Sequence, residues 1–167
     1  EAAPAVVEVV VVDPSGKSMA PGRKGTQVIV PAGGTGEFDQ SFTLKKPQRW
    51  DIDSPKLYTA KVIVRMGKKV VDTETVLFGV RTFQFTANDG FHLNGRRVQL
   101  FGVNLHHDHG PLGAAFYTRA MERQLEIMKD MGVNCLRTSH NPPSPEVLEL
   151  CDRMGIVVWD EAFDKWD

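Results

Sequence analysis

Side chains able to do chemistry gather in three short stretches of this chain. The first is Asn104-Leu105-His106-His107-Asp108-His109, the second Arg137-Thr138-Ser139-His140, and the third Asp160-Glu161. Four of the five histidines lie in them. An imidazole can move a proton or bind a metal near neutral pH. A guanidinium can grip a carboxylate in two places. His107-x-His109 is a spacing that barrel metal hydrolases use for zinc. As a metal signal it is weak, because His106 disturbs the spacing and further ligands would have to come from elsewhere. Asp160 and Glu161 suggest a carboxylate pair for acid–base work. Neighbours on a strand end point to opposite sides, so they are not expected to act as a catalytic dyad.

The elements around these stretches explain why they would converge. Residues 98–103 read as a buried strand. Thr118 is a plausible N-cap for a helix over 119–131, with Met121, Leu125 and Met128 on one face and Gly132 at its end. Residues 133–136 read as a second strand. Ser144 caps a second helix, with Pro145 at its first position and Glu146 next, near the positive end of its dipole. Val147, Cys151 and Met154 line the inner face of that helix, and Gly155 ends it. Residues 156–159 read as a third strand. The order β-α-β-α-β predicts a parallel sheet with right-handed crossovers. Parallel strands end on one face, so the three polar stretches meet there. The turn after the first strand has no G-x-G-x-x-G, which argues against a dinucleotide fold. A (β/α)₈ barrel fits better, and its active site lies at the C-terminal ends of the strands. At roughly 31 residues per unit, residues 90–167 hold two units and the strand that follows.

Before residue 87 the pattern is β. Residues 6–12 and 26–30 are β-branched runs, and Pro31 with Gly33-Gly34 stops the second. Phe38, Phe42 and Leu44 share one face at even spacing, as do Tyr58, Ala60, Val62 and Val64. Gly67-Lys68 predicts a two-residue II′ turn into a return strand over 69–78. Asn94-Gly95 marks a further hairpin after Asn88-Asp89-Gly90. These signals predict an immunoglobulin-like sandwich over residues 1–86, small enough to lack its first strand. Residues 87–167 would be the N-terminal part of the barrel, about three strands and two helices.

The chain has 167 residues, enough for one domain or two small ones. Its 20 basic and 21 acidic residues leave a net charge of −1, which excludes a broad nucleic-acid grip. Its apolar share of 41% and charged share of 25% are those of a folded protein. No apolar run approaches the roughly 20 residues of a membrane helix. The start, EAAPAVVEVVVV, has neither an initiator Met nor a basic n-region, and reads as cut from something longer. Cys135 and Cys151 sit in apolar patterns and are expected to be free thiols that leave the compartment, cytoplasmic or periplasmic, open.

The run Asn134-Cys135-Leu136-Arg137-Thr138-Ser139-His140-Asn141-Pro142, followed by Val147-Leu148, Asp152, Gly155 and Ile156-Val157-Val158-Trp159, resembles the first signature of glycoside hydrolase family two, the β-galactosidase and β-glucuronidase family. Phe78-Gly79-Val80-Arg81-Thr82, Leu93-Asn94-Gly95 and Phe101-Gly102-Val103-Asn104-Leu105-His106 resemble its passage from immunoglobulin-like domain to barrel. Trp50, Pro55, Leu57 and Tyr58 resemble a W…P.LY element of its β domain. Asn141 stands where the family often has Tyr, and the motif therefore does not give the sugar.

The resemblance implies retaining hydrolysis of β-glycosides through a covalent glycosyl-enzyme. That chemistry needs two carboxyl groups about 5–5.5 Å apart. By the family pattern both catalytic Glu residues lie beyond Asp167, so no residue here is expected to be catalytic and the chain alone is expected to be inactive. His106 and His140 match histidines that line the subsite of the non-reducing sugar. Asn104 and Asp108 are further candidates for sugar contact. Arg137, Asp160 and Glu161 are candidates for orienting roles. Trp159 and Trp166 could stack on a sugar, Trp159 equally being core, and His92 is expected to be ordinary surface. The segment asks for no cofactor of its own, while a divalent or monovalent cation in the whole enzyme stays open. The expected partner is a β-linked sugar, with no nucleic acid and no membrane. Three barrel strands leave an open edge, so oligomerisation is expected.

Two rival readings stand beside this one. One is a metal-dependent barrel hydrolase using His107 and His109. The other is a non-catalytic module, with residues 1–86 acting as a spacer or a carbohydrate-binding sandwich. Trp50 and Tyr58 match structural positions and no other aromatic cluster is evident there, which favours the spacer.

Overall fold

The computed structural model describes residues 2–19 and 24–163. Trp166 lies outside them. Two compact units form. The first comprises residues 1–48 and 57–80, and the second residues 49–56 and 81–167.

The first unit is built on one four-stranded antiparallel sheet. Its strands are β1 (Ala3–Val12), β2 (Thr26–Val30), β5 (Leu57–Met66) and β6 (Lys69–Gly79), in the order β2-β1-β5-β6. Alternation along β1 buries Ala5, Val7 and Val11, and β2 adds Val28. Tyr58 is buried on β5, stacks on Phe78 at 5.5 Å, and accepts the Gln48 N–H through its hydroxyl at 2.8 Å. The turn between β5 and β6 is the two-residue Gly67-Lys68 turn, with Gly67 at φ +59°. The strand expected through Phe38, Phe42 and Leu44 does not form, and residues 36–44 are irregular. Even spacing gives a face and does not by itself make a strand. This stretch is instead tied to the sheet by the Gln40 side chain, which donates to the Val7 carbonyl at 3.2 Å and to the Thr26 hydroxyl at 2.7 Å.

The second unit joins two small antiparallel pieces to a parallel sheet. The first piece is the β3–β4 hairpin (Trp50–Asp51 and Ser54–Pro55). The second is the sheet β7-β8-β9 (Phe83–Thr86, Gly90–Leu93, Arg96–Arg97). Asn94 and Gly95 turn β8 into β9 with φ of +55° and +82°. The parallel sheet is β10-β11-β12 (Gly102–Leu105, Cys135–Thr138, Val157–Trp159). Helices α1 (Thr118–Asp130) and α2 (Pro145–Met154) connect its strands. Their core packs Met121, Leu125, Val147, Leu150 and Cys151 against Leu136 and Ile156. Burial pushes the Cys151 thiol up to about 12, and Asp152 and Cys135 add to that. Both cysteines are free and buried.

Three local expectations shift. Strand β10 begins at Gly102, four residues later than the apolar run, because Asn134 takes the backbone before it. The Asn134 side chain accepts the Phe101 N–H at 2.8 Å and donates to the Gln99 carbonyl at 3.0 Å. Strand β11 likewise starts at Cys135 and runs to Thr138 rather than ending at Leu136. The N-cap of α1 is Tyr117, not Thr118, which is already helical. Ser144 does cap α2 by position, without a side-chain capping bond. Gly155 ends α2 in the left-handed region at φ +71°, and a Cβ there would meet the Ile52 carbonyl oxygen at 2.3 Å. That crowding comes from the β3–β4 hairpin. Trp50 is almost fully buried, donates its indole N–H to the Asp152 carbonyl at 2.7 Å, and carries the Arg81 guanidinium 4.7 Å above its ring.

Candidate functional site

Register decides which residues of the parallel sheet share a face. Asn104 on β10 pairs with Arg137 on β11, and Arg137 pairs with Trp159 on β12. Val103, Leu105 and Val158 take the opposite face and pack with Leu136 against the helices. Asn104 and Arg137 are therefore strand residues, not loop residues, and their backbones are fixed by the ladder.

Arg137 is the hub. Its Nη1 donates to Asn104 Oδ1 at 3.1 Å and to Ser139 Oγ at 3.2 Å. Its Nε and Nη2 both donate to Glu161 Oε1, at 3.0 and 2.5 Å. The second carboxylate oxygen, Oε2, lies 3.0 Å from His140 Nδ1. Arg137 Nη2 also lies 3.4 Å from that Nδ1. One nitrogen cannot donate to a carboxylate and accept from a guanidinium at once. The shorter, charge-assisted contact assigns the proton to Nδ1, donated to Glu161. The His140 ring stands edge-on to His106, with centroids 5.5 Å apart.

Burial raises the Glu161 carboxyl, but the hydrogen bonds from Arg137 and His140, with their charges, outweigh it and hold the group below the ordinary range. Glu161 is thus ionised at neutral pH with both oxygens engaged, and is not poised as a general acid. Asp160 goes elsewhere. Its Oδ1 accepts the Thr138 hydroxyl at 2.9 Å, and the same hydroxyl oxygen accepts the Glu161 N–H at 3.1 Å. Among the described residues Thr138 and Ser139 are the buried polar ones. The sequence places both in the second polar stretch but assigns neither a role.

The loop after β10 closes on itself. Asp108 Oδ1 accepts the Gly110 N–H at 2.8 Å, giving this carboxylate a turn-forming bond. His106 and His107 are exposed. His109 packs edge-on against Phe116 at 6.0 Å. His107, His109, Thr138 and Ser144 share a cavity of about 120 Å³, and His109 Nδ1 and Ser144 Oγ are buried there without a protein partner. Among the described residues no three His, Cys, Asp or Glu side chains gather as a metal-binding group. His92 bonds Asp89 Oδ2 at 2.8 Å on the β7-β8-β9 sheet. Trp159 is exposed on the Asn104–Arg137 face and lines an open apolar cavity of about 490 Å³ with Phe83, Phe85 and Phe91.

The structure therefore brings together Asn104, Arg137, His140 and Glu161, with His106 beside them and Asp160 anchored behind. Asp108 is bonded within its own loop. Such a cluster offers imidazole, guanidinium and amide groups at the C-terminal ends of three parallel strands. It can hold a polyhydroxylated ligand and orient a charge, but it presents no pair of unengaged carboxylates.

Comparison with known proteins agrees with the arrangement of the chain. The family model "Glycosyl hydrolases family 2" matches residues 3–81, and "Glycosyl hydrolases family 2, TIM barrel domain" matches residues 86–164. The beta-galactosidase BoGH2A of Bacteroides ovatus is 55% identical over 129 residues, which are 77% of this chain and 15% of that protein. The crystal structure of a glycosyl hydrolase family 2 member from Bacteroides cellulosilyticus is 38% identical with a TM-score of 0.85, over 99% of this chain and 21% of that one. The crystal structure of a Bacteroides uniformis beta-glucuronidase is 30% identical with a TM-score of 0.87, over 97% of this chain and 19% of that one. The chain thus spans about a fifth or less of the length of these relatives. Two models of one family, back to back over nearly all of its residues, show that this chain belongs to glycoside hydrolase family 2.

Proposed function

We propose that the whole protein carrying this chain hydrolyses β-glycosidic bonds with retention, and that residues 87–167 supply part of its sugar pocket. The observation that carries this reading is the cluster of Asn104, Arg137, His140 and Glu161 at the ends of three parallel strands of a family 2 barrel segment. His140, His106 and Asn104 face the sugar, with Asp108 on the loop above them. Arg137, Glu161 and Asp160 orient that face. Hydrogen bonds to sugar hydroxyls that tighten in the transition state lower the barrier. The two reacting carboxylates come from outside residues 1–167, since Glu161 is spent on Arg137 and His140. Residues 1–86 are an immunoglobulin-like spacer, and residues 87–167 the first three strands and two helices of the barrel. The two family matches, ending at 81 and beginning at 86, support that division.

Both beta-galactosidases and beta-glucuronidases are among the relatives, so the test is a panel. The complete gene product is assayed on nitrophenyl β-galactoside, β-glucuronide and β-mannoside. Turnover of at least one is expected, and no turnover on any β-glycoside rejects the proposal.

A further inference from the structure

Thr138 does work that its place on the sheet does not require. It is the last residue of β11, 2% exposed, and shares the helix-side face with Leu136. A residue there needs only to be apolar and of the right size. Instead its hydroxyl reaches the third polar stretch, donating to Asp160 Oδ1 at 2.9 Å and accepting the Glu161 N–H at 3.1 Å. Strand β12 has ended at Trp159, so Glu161 stands beyond the β11–β12 ladder.

We propose that Thr138 is a positioning residue, whose hydroxyl seats the Asp160-Glu161 backbone so that the Glu161 carboxylate meets Arg137 and His140 together. This deepens the sugar-pocket reading and rests on it. The chemistry asks for a hydroxyl, which combines one donor with two acceptor lone pairs in one atom. A valine of the same shape supplies neither. The seat also sorts two adjacent carboxylates: Asp160 is held by Thr138, and Glu161 is left to Arg137 and His140. A displacement of Glu161 therefore passes to the imidazole and the guanidinium at once. A misplacement of about 1 Å in such groups is enough to cost about a hundredfold in rate.

The test uses the complete enzyme with T138V, T138S, E161Q and the T138V/E161Q double variant. T138V is expected to lose about tenfold or more in kcat/KM, and T138S to regain activity to within about threefold of wild type. The double variant is expected to lose no more than E161Q alone, within about twofold, because both act through one path. Losses that multiply in the double variant, or a T138V enzyme within about twofold of wild type, overturn the proposal. Should T138V fail to fold, T138A takes its place, since it adds no bulk. A crystal structure of the variant reads the seat without turnover. Glu161 is expected to leave Arg137, His140 or both, and Glu161 still bonded to both overturns the proposal. A wild-type enzyme that turns over no β-glycoside removes the function reading, and the crystallographic arm still decides the role of Thr138.

Discussion

A guanidinium bonded at once to Asn104, Ser139 and Glu161 has little rotamer freedom left, and the groups it touches come from all three strand ends. Arg137 can do this because its donors lie in one rigid plane; a lysine would offer a single point. Glu161 closes the circuit through His140. Its lowered pKa carries a signed consequence for stability. Burial opposes the shift, and the bonds from Arg137 and His140 win. The folded value lies below the ordinary 4.5, so the stabilisation is complete above that value and is lost as pH falls through the lowered one. Thermal melts of the chain and of E161Q are expected to differ near neutral pH, with wild type higher, and to converge in acid. A gap in Tm that stays constant down to acid pH contradicts this assignment.

Elements carry the residues to these positions, and here the sequence was only partly readable. The β-α-β-α-β order, the hairpins at Gly67-Lys68 and Asn94-Gly95, and the end of α2 at Gly155 were all legible from turn chemistry and periodicity. The limits of β10 and β11 were not. Apolar runs show what can be buried, but pairing begins only where the Asn134 side chain releases the backbone. That shift moved Asn104 and Arg137 from loops onto strands. The Thr138 seat was hidden for a related reason: a threonine in a polar stretch looks like loop until its face is known. Among the described residues no strand forms through Phe38, Phe42 and Leu44, where the Gln40 side chain rather than a regular ladder ties the stretch to β1 and β2. Two substitutions at the ends of α2 test this level. G155A adds a Cβ against the Ile52 carbonyl at positive φ, and is expected to cost about 2–4 kcal/mol. S144A, usually a loss of about 1 kcal/mol at an N-cap, is expected to be nearly neutral, because its hydroxyl makes no capping bond. Urea unfolding of both variants reads the contrast, and a reversed order would refute it.

At the scale of the whole molecule, the proposed sugar face holds Glu161 already bonded to Arg137 and His140. The face that carries Asn104 and Arg137 also exposes Trp159, beside the exposed Phe83 and Phe85. Exposed apolar surface of this kind promotes association. Purified residues 1–167 are expected to hydrolyse no β-glycoside and to self-associate with rising concentration in light scattering. Hydrolysis by the pure chain would show that its own carboxylates react, and a monomer at every concentration would count against the exposed face. The central claim is tested most directly on the complete gene product, by following the sugar released from a nitrophenyl β-glycoside with time-resolved proton NMR. The account predicts that the β-anomer appears first and the α-anomer only later by mutarotation. An α-anomer at the earliest times, or no sugar released at all, contradicts it.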